Sequence, residues 1–241
     1  MSEKKVSEAI EFRRSVRIFD DEKDIDSALV KKCLEQAILA PNSSNLQLWE
    51  FYHVTSNEEI KKIAKACFNQ SAARTAMQFV IPVVRKDLYK ERIASNIAFI
   101  KSEYNKSVKK DDKKTNGAVS YYEKILPKFY GVKNLKGWIN SINTNIKGLK
   151  KVVYRQVKKS DMRVVVHKST ALAAQNFLVS MAGYGYDTCT MEGFDSLRVK
   201  KILGLPNAAE ISMVIGCGIR TEKGIYGPRF RVPFDEVYFE K

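Results

Sequence analysis

The sequence is poor in the residues that build metal and redox centres. It contains four cysteines and two histidines, which are Cys33, Cys67, Cys189, Cys217, His53 and His167. The cysteines lie far apart without a C-x-x-C pair, which argues against a zinc site or a redox dithiol. Two histidines are too few for a His-rich centre. We therefore expect no metal, and free thiols that behave as small buried hydrophobes in a reducing compartment.

Long hydrophobic runs are also missing. No stretch approaches the roughly 20 apolar residues of a transmembrane helix, and the N-terminus lacks the apolar core of a signal peptide. The chain has 241 residues, of which 44% are hydrophobic and 29% charged, with 12 Gly and 6 Pro. These values are typical of an ordinary globular protein. We expect a single domain over residues 1–241, located in the cytoplasm and without a membrane partner.

Negative charges are fewer than positive ones, and the positive excess is regional. The formal net charge is +15, and residues 101–160 alone hold 16 Lys/Arg against 4 Asp/Glu. Glycines and prolines should break this segment into short helices, so that it reads as an insertion. Lysine dominates and no groove-reading motif accompanies it, so we expect no nucleic-acid partner.

Hydrophobic periodicity indicates a mixed architecture. It predicts helices over 6–14, 27–39, 58–67, 162–184 and 196–203, with Asp26 or Ser27 capping the second. Strands are predicted over 48–55, 77–84 and 210–217, and 237–239 is strand-like. Pro82 removes a ladder donor and so places its strand near an edge or a strand end. The order of elements predicts an α+β fold in which helices sandwich a small sheet.

An arginine cluster follows the first predicted helix. Arg13, Arg14 and Arg17 flank Ser15, and Arg229 and Arg231 stand two apart in the tail. Arginine presents forked donors that match phosphate oxygens, and serine adds a hydroxyl. Such residues suit a dianionic ligand, although a solvated helix end is the alternative for either group.

A polar run stands between the second helix and the first strand, at Asn42-Ser43-Ser44-Asn45. Small polar side chains beside a buried strand are costly unless they are hydrogen-bonded. Something polar should therefore dock there, and a plain turn is the alternative.

Taken together, three motifs carry a resemblance to a known family. Arg-Arg-Ser-x-Arg at 13–17, Ala-Pro-Asn-Ser-Ser-Asn-Leu-Gln-Leu-Trp at 40–49 and Met-Glu-Gly-Phe-Asp at 191–195 occur in that order. The combination resembles the FMN-dependent nitroreductase family at both ends of the chain, but not in the basic middle. The resemblance implies a nitroreductase-like α+β fold with a small, mostly antiparallel sheet. It also implies a homodimer that exchanges its C-terminal tails and binds FMN at the subunit interface.

The resemblance further implies which residues contact FMN. Its phosphate and ribityl contacts match Arg13, Arg14, Ser15, Arg17, Arg229 and Arg231. Residues near the flavin ring match Asn42, Ser43 and Asn45 from the partner subunit, Asn69 and Gln70 at the pyrimidine edge, and a loop of Thr190, Met191, Glu192 and Gly193. The backbone of Glu192 is implied to lie near flavin N5, and Arg17 is the candidate charge near N1 and O2.

The implied activity is transfer of a hydride from NADH or NADPH, through FMN, to an electron-poor acceptor such as a nitroaromatic or quinone. One shared pocket predicts ping-pong kinetics, and no catalytic side chain is needed because the flavin carries the chemistry. Two alternatives stay open: a reductive dehalogenase-like flavoprotein of the same fold, and a non-catalytic flavin-binding or basic binding protein.

Residues 101–160 have two interpretations at this point. They form either a solvated helical face or a lid over the active site whose lysines attract anionic substrates. In the second case aromatic side chains could stack on the substrate, and the candidates are Tyr121, Tyr122, Phe129, Tyr130 and Trp138.

Overall fold

The structure is a computed structural model, and it describes residues 3–107 and 111–241. Within these residues, helices pack on both sides of a five-stranded sheet. The helices are α1 (Val6–Phe12), α2 (Ser27–Ala37), α3 (Asn57–Ala66), α4 (Ser71–Arg74), α5 (Tyr89–Lys106), α6 (Asp112–Ser120), α7 (Leu126–Tyr130), α8 (Asn134–Lys147), α9 (Lys159–Gly183) and α10 (Ser196–Ile202). The strands are β1 (Trp49–Val54), β2 (Gln78–Val84), β3 (Asp187–Met191), β4 (Glu210–Ile211) and β5 (Val214–Gly218).

The sheet is antiparallel throughout, in the order β1-β2-β5-β3, and β4 pairs with the end of β2. Side chains of β2 alternate between two cores, because successive residues of a strand point to opposite faces. Phe79, Ile81 and Val83 pack with helices α3 and α10, whereas Val80 packs with α2 and α9. The predicted α+β sandwich is confirmed.

The position of Pro82 was predicted wrongly. Its strand, β2, is central, because β1 pairs with it on one side and β4 and β5 pair on the other. The carbonyl of Pro82 accepts from Ser212 N at 2.9 Å, so its nitrogen faces the same side, where β4 ends before β5 begins. The missing donor therefore falls at an interruption of the neighbouring strand. The predicted strand 210–217 is split at that point.

The strand β3 was missed. Thr190 and Met191 were expected in a loop, but both belong to β3, and Met191 is buried in the core. The loop begins only at Glu192. β3 pairs with β5 along its whole length. Cys189 and Met191 alternate with Thr188 and Thr190 and share one core, but the stretch is short, and its pairing with β5 identifies it as a strand.

Several ends also differ from prediction. Helix α1 ends at Phe12, so Arg13, which is extended, and Arg14 both follow the helix. Residues 237–239 form no strand. The predicted cap of α2 is confirmed, since the Asp26 carboxylate accepts from Ala28 N at 2.8 Å. No helix among the described residues is long and apolar enough to span a bilayer.

The described part of the basic segment is mostly helical, with a π-helical turn, Tyr121–Ile125, between α6 and α7 and a non-helical stretch between α8 and α9. Gly131 and Gly148 stand at the ends of α7 and α8 as expected, whereas Gly117 and Gly137 lie inside helices. Leu126 of α7 packs in the same buried cluster as Met162 of α9. The segment is thereby joined to the central helix.

All four cysteines are buried and free. Burial raises the pKa of each thiol, to about 11 for Cys67. Among the residues that the structure describes, no three His, Cys, Asp or Glu side chains form a group that could hold a metal ion.

Candidate functional site

The two ends of the chain meet in one pocket of about 240 Å³. Its walls are the arginine cluster after α1 and the chain between Ile225 and Arg231. Every phosphate-contact residue implied by the sequence lines it, namely Arg13, Arg14, Ser15, Arg17, Arg229 and Arg231. A larger groove of about 720 Å³, beside Lys86 and Glu210, contains none of them. We call the smaller cavity the arginine pocket.

Backbone carbonyls hold the arginine pocket together. Arg229 donates from Nη2 to the carbonyls of Glu11 and Arg13, each at 2.7 Å. These carbonyls lie at the C-terminus of α1, where intrahelical partners run out. In the opposite direction, Arg14 donates from Nη2 to the Gly227 carbonyl of the tail at 2.6 Å. The tail is thus fastened to α1 by two arginines, in addition to lining the pocket.

The arginine pocket carries excess positive charge. Burial lowers the pKa of the Arg13 guanidinium, and the charges of Arg229, Arg231 and Arg14 lower it further. In residues 3–107 and 111–241, no carboxylate forms an ion pair with any of these four arginines or with Arg17. An anion bound in the pocket would relieve this repulsion and accept the forked donors.

An ion pair between Asp187 and Arg220 lies next to the arginine pocket, and it was not predicted from the sequence. The Asp187 carboxylate, at the start of β3, accepts from the backbone N and from Nε of Arg220, each at 2.8 Å, and also from Nη2. The Arg220 guanidinium lies 4.4 Å from the Phe12 ring centroid and donates to the Phe12 carbonyl at 3.2 Å. This pair holds the end of α1 against the sheet. The only sequence signal was an aspartate in an otherwise uncharged stretch.

A second group of implied residues also comes together. Gln70 donates from Nε2 to the carbonyl of Gly193 at 2.7 Å and to that of Cys67 at 3.0 Å. Asn69 precedes it with a φ of 50°, a left-handed conformation that a non-glycine residue adopts at some cost. Gln70 and the loop of Glu192 and Gly193 therefore form one hydrogen-bonded unit.

Gly193 is not required by the protein's own packing. A Cβ there would meet Gln70 Nε2 at 3.5 Å, an ordinary contact, and its φ is not in the left-handed region. The open space over this glycine is suited to the close approach of a flat ligand.

The polar run lies elsewhere in the single chain. Asn42, Ser43 and Asn45 do not line the arginine pocket. Tyr122 OH donates to the Ser44 carbonyl at 2.8 Å, and the Asn45 side chain donates to Asn96 Oδ1 at 3.1 Å. The polar group expected to dock on this run is therefore supplied partly by helix α5 and the π-helical turn.

The aromatic residues of the basic segment have different environments. Tyr130 is buried, and the hydroxyls of Tyr121 and Tyr122 are both hydrogen-bonded to Ser44. Tyr121, Phe129 and Tyr130 line a pocket of about 230 Å³ together with Ser43 and Ser44. Trp138 lies outside it and is 65% exposed.

The chain as a whole is similar to known proteins in sequence and in fold. Residues 10–219 match the model of the nitroreductase family. A candidate NAD(P)H nitroreductase of Staphylococcus haemolyticus is 27% identical over 224 residues, covering 89% of this chain and 88% of the relative. A candidate nitroreductase of Bacillus subtilis superimposes with a TM-score of 0.73 at 21% identity, covering 98% of each chain. Another candidate nitroreductase, from Exiguobacterium sibiricum and solved in complex with FMN, gives 0.68 at 19% identity, covering 100% and 99%.

Proposed function

The chain belongs to the nitroreductase family, and from that premise we propose that it is an FMN-dependent oxidoreductase. It passes a hydride from NADH or NADPH to a small electron-poor acceptor such as a nitroaromatic or a quinone. When bound, FMN supplies the hydride chemistry, and the protein supplies binding, orientation and electrostatics.

The observation that carries this proposal is the meeting of both chain ends in the arginine pocket. A phosphate dianion fits a cavity whose charged side chains are all arginines and whose Ser15 adds a hydroxyl. In this proposal Arg13, Arg14, Arg17, Arg229 and Arg231 bind the FMN phosphate and the adjoining chain. Lysine would supply only a point charge in place of these forked donors.

The unit formed by Gln70 and Gly193 supports the placement of the flavin ring. Both amide hydrogens of Gln70 are engaged with backbone carbonyls. This leaves its Oε1 as the atom that could accept from a ring N–H. The backbone of Thr190, Met191, Glu192 and Gly193 would lie along one ring face, with Asn69 beside the pyrimidine edge. No side chain of this set needs to exchange a proton for the transfer to occur.

Retained FMN and its reduction test this function. We expect purified protein to be yellow, to bleach when NADH or NADPH is added without oxygen, and to recolour when menadione is added. Initial rates at varied nicotinamide and menadione should give parallel double-reciprocal lines, because both substrates would use one pocket in turn. A yellow protein that no nicotinamide bleaches would favour the non-catalytic flavin-binding alternative. Intersecting lines would contradict the shared pocket.

The exposed tail supports a homodimer as part of the proposal. Phe230 and Phe234 are 77% and 72% exposed in the single chain. Large apolar side chains that cluster on one surface usually mark an interface. In a dimer with exchanged tails they would be covered, and a second copy would contribute Asn42, Ser43 and Asn45 beside the flavin ring.

Sedimentation measures this directly. We expect a mass of twice the chain's 27.5 kDa, and a shift toward monomer when Phe230 and Phe234 are both replaced by serine. Leu197→Ser, on the exposed side of α10, is the matched control and should leave the mass unchanged. A wild-type chain that sediments as a monomer with FMN bound would contradict the dimer while leaving the cofactor assignment intact.

A further inference from the structure

Helix α8 presents its large apolar side chains to solvent and its small residues to the protein. On the inner side, a Cβ at Gly137 would lie 3.2 Å from the Lys158 Cα, and a Cβ at Gly148 would collide with the Arg155 guanidinium. The chain that returns toward α9 therefore runs close along this side. Such packing leaves the opposite side of α8 without cover from the described residues.

The uncovered side is a continuous apolar stripe, called the α8 stripe below. At 100° per residue its members fall within an arc of about 100°. Leu135 is 77% and Trp138 65% exposed, and the others are each about half exposed or more. The α8 stripe consists of Leu135, Trp138, Ile139, Ile142 and Ile146.

The sequence segment that contains the α8 stripe carries charge of one sign only. Between residues 124 and 160 the sequence holds ten Lys/Arg and no Asp or Glu. Lys136 and Lys147 lie along one flank of the stripe, and Lys133, Lys150 and Lys151 lie near its two ends. In the part of the chain that the structure describes, none of these five lysines forms an ion pair with a carboxylate.

We propose that the α8 stripe is a docking surface for an anionic lipid bilayer, lying in the plane of the membrane with its apolar side chains among the headgroups. A helix with an apolar face, a tryptophan and flanking lysines matches the chemistry of this interface. Lysines near an anionic leaflet gain attraction that a neutral protein surface would not give. No membrane partner was expected from the sequence because the chain has no transmembrane run. That argument does not apply to a helix that lies on the bilayer surface.

A second copy of the chain is the less suitable occupant. Two α8 stripes in contact would bring their flanking lysines, Lys136 and Lys147 of each copy, close together. Like charges oppose that contact. An anionic bilayer is complementary to both the apolar stripe and the lysines.

Vesicle binding and tryptophan emission test the proposal. We expect the FMN-loaded protein to co-sediment with phosphatidylcholine vesicles that contain roughly one third phosphatidylglycerol, and not with phosphatidylcholine alone. The chain has two tryptophans, and Trp49 is buried while Trp138 is exposed. A blue shift of the emission on vesicle binding would therefore report Trp138 entering the interface.

Three sets of variants separate the apolar from the electrostatic contribution. Replacing Ile142 and Ile146 by glutamine, a good helix former, should weaken binding to the anionic vesicles by about tenfold or more. Replacing Lys136 and Lys147 by glutamine should weaken it by about fivefold per lysine. Leu197→Gln removes an apolar side chain of α10 that is more exposed than either isoleucine, and it should leave binding unchanged. Flavin retention and thermal midpoint report whether each variant is folded.

Three results would overturn the proposal. One is the absence of co-sedimentation with the anionic vesicles at low salt. Another is binding that is lost in the lysine variant but unchanged in the isoleucine variant, because the apolar stripe would then have no part in it. The third is a smaller sedimentation mass for the isoleucine variant than for the wild type without lipid, which would assign the stripe to a second copy. None of these results bears on FMN binding in the arginine pocket, so a failure here is distinguishable from a failure of the proposed function.

Discussion

Arg13→Ala is expected to weaken FMN binding without destabilising the flavin-free protein. The Arg13 side chain donates no hydrogen bond to any described residue, and the charges of Arg229, Arg231 and Arg14 lower its pKa. Its removal from the flavin-free pocket therefore breaks no hydrogen bond or ion pair and relieves repulsion. Loss of a charge-assisted hydrogen bond to phosphate costs about 1.5–3 kcal/mol. The dissociation constant of FMN should accordingly rise by about tenfold to a hundredfold.

Arg229→Ala should behave differently, although it lies in the same pocket. Its Nη2 bonds the carbonyls of Glu11 and Arg13, so its loss also unfastens the tail from α1. We expect weaker FMN binding together with a lower thermal midpoint of the flavin-free protein. Both variants should therefore bind FMN more weakly, but only Arg229→Ala should lower the thermal midpoint of the flavin-free protein.

Fluorescence titration of flavin-free protein with FMN, combined with thermal unfolding without FMN, measures both quantities. Arg163→Ala is the control, because Arg163 lies outside the arginine pocket, where it pairs with Glu210, and its loss lowers the net charge equally. FMN affinity should change little in this control. Unchanged FMN affinity in Arg13→Ala would contradict the role of Arg13 as a phosphate ligand.

Local signals explain which parts of the fold were predictable. Helix α9 was predicted within a few residues because a long, almost wholly apolar pattern requires burial. The cap at Asp26 depends only on its own first turn. Pro82 was placed wrongly because its position depends on strand pairing that is distant in sequence, whereas β3 was missed because the resemblance assigned Thr190 and Met191 to a loop. A proline is tolerated in a central strand only where the neighbouring strand is interrupted, and that interruption is at Ser212.

The site was predictable to a similar degree. The motifs named the residues, and the structure brings the two arginine groups into one pocket. The fastening contacts could not be foreseen, because Arg229 reaches backbone carbonyls, which every residue possesses. The same holds for Gln70, whose partner is the Gly193 carbonyl. The residue types indicated that Arg229 and Gln70 bind a ligand. In the structure both side chains also donate hydrogen bonds to backbone carbonyls of the protein.

The largest effect on stability is expected from Arg220→Ala. The Asp187 side chain is only 2% exposed, and removing Arg220 would leave its charge buried and unpaired. Breaking a buried pair in this way costs about 3–5 kcal/mol. The exposed pair of Arg198 and Asp195, joined at 3.0 Å, is the matched control, and Arg198→Ala should cost less than about 1 kcal/mol. Urea unfolding at fixed protein concentration compares the two free energies.

A second substitution identifies the cause of that cost. Combining Asp187→Asn with Arg220→Ala removes the buried charge but keeps a side-chain oxygen that can accept from the backbone N of residue 220. The double variant should therefore be more stable than Arg220→Ala alone, because the penalty comes from the unpaired carboxylate. If the unfolding free energies lost in Asp187→Asn alone and in Arg220→Ala alone simply add in the double variant, the effect would instead be assigned to lost packing of Arg220 on the Phe12 ring. In either case the end of α1 should loosen, since Arg220 also donates to the Phe12 carbonyl, and the arginine pocket begins at the next residue.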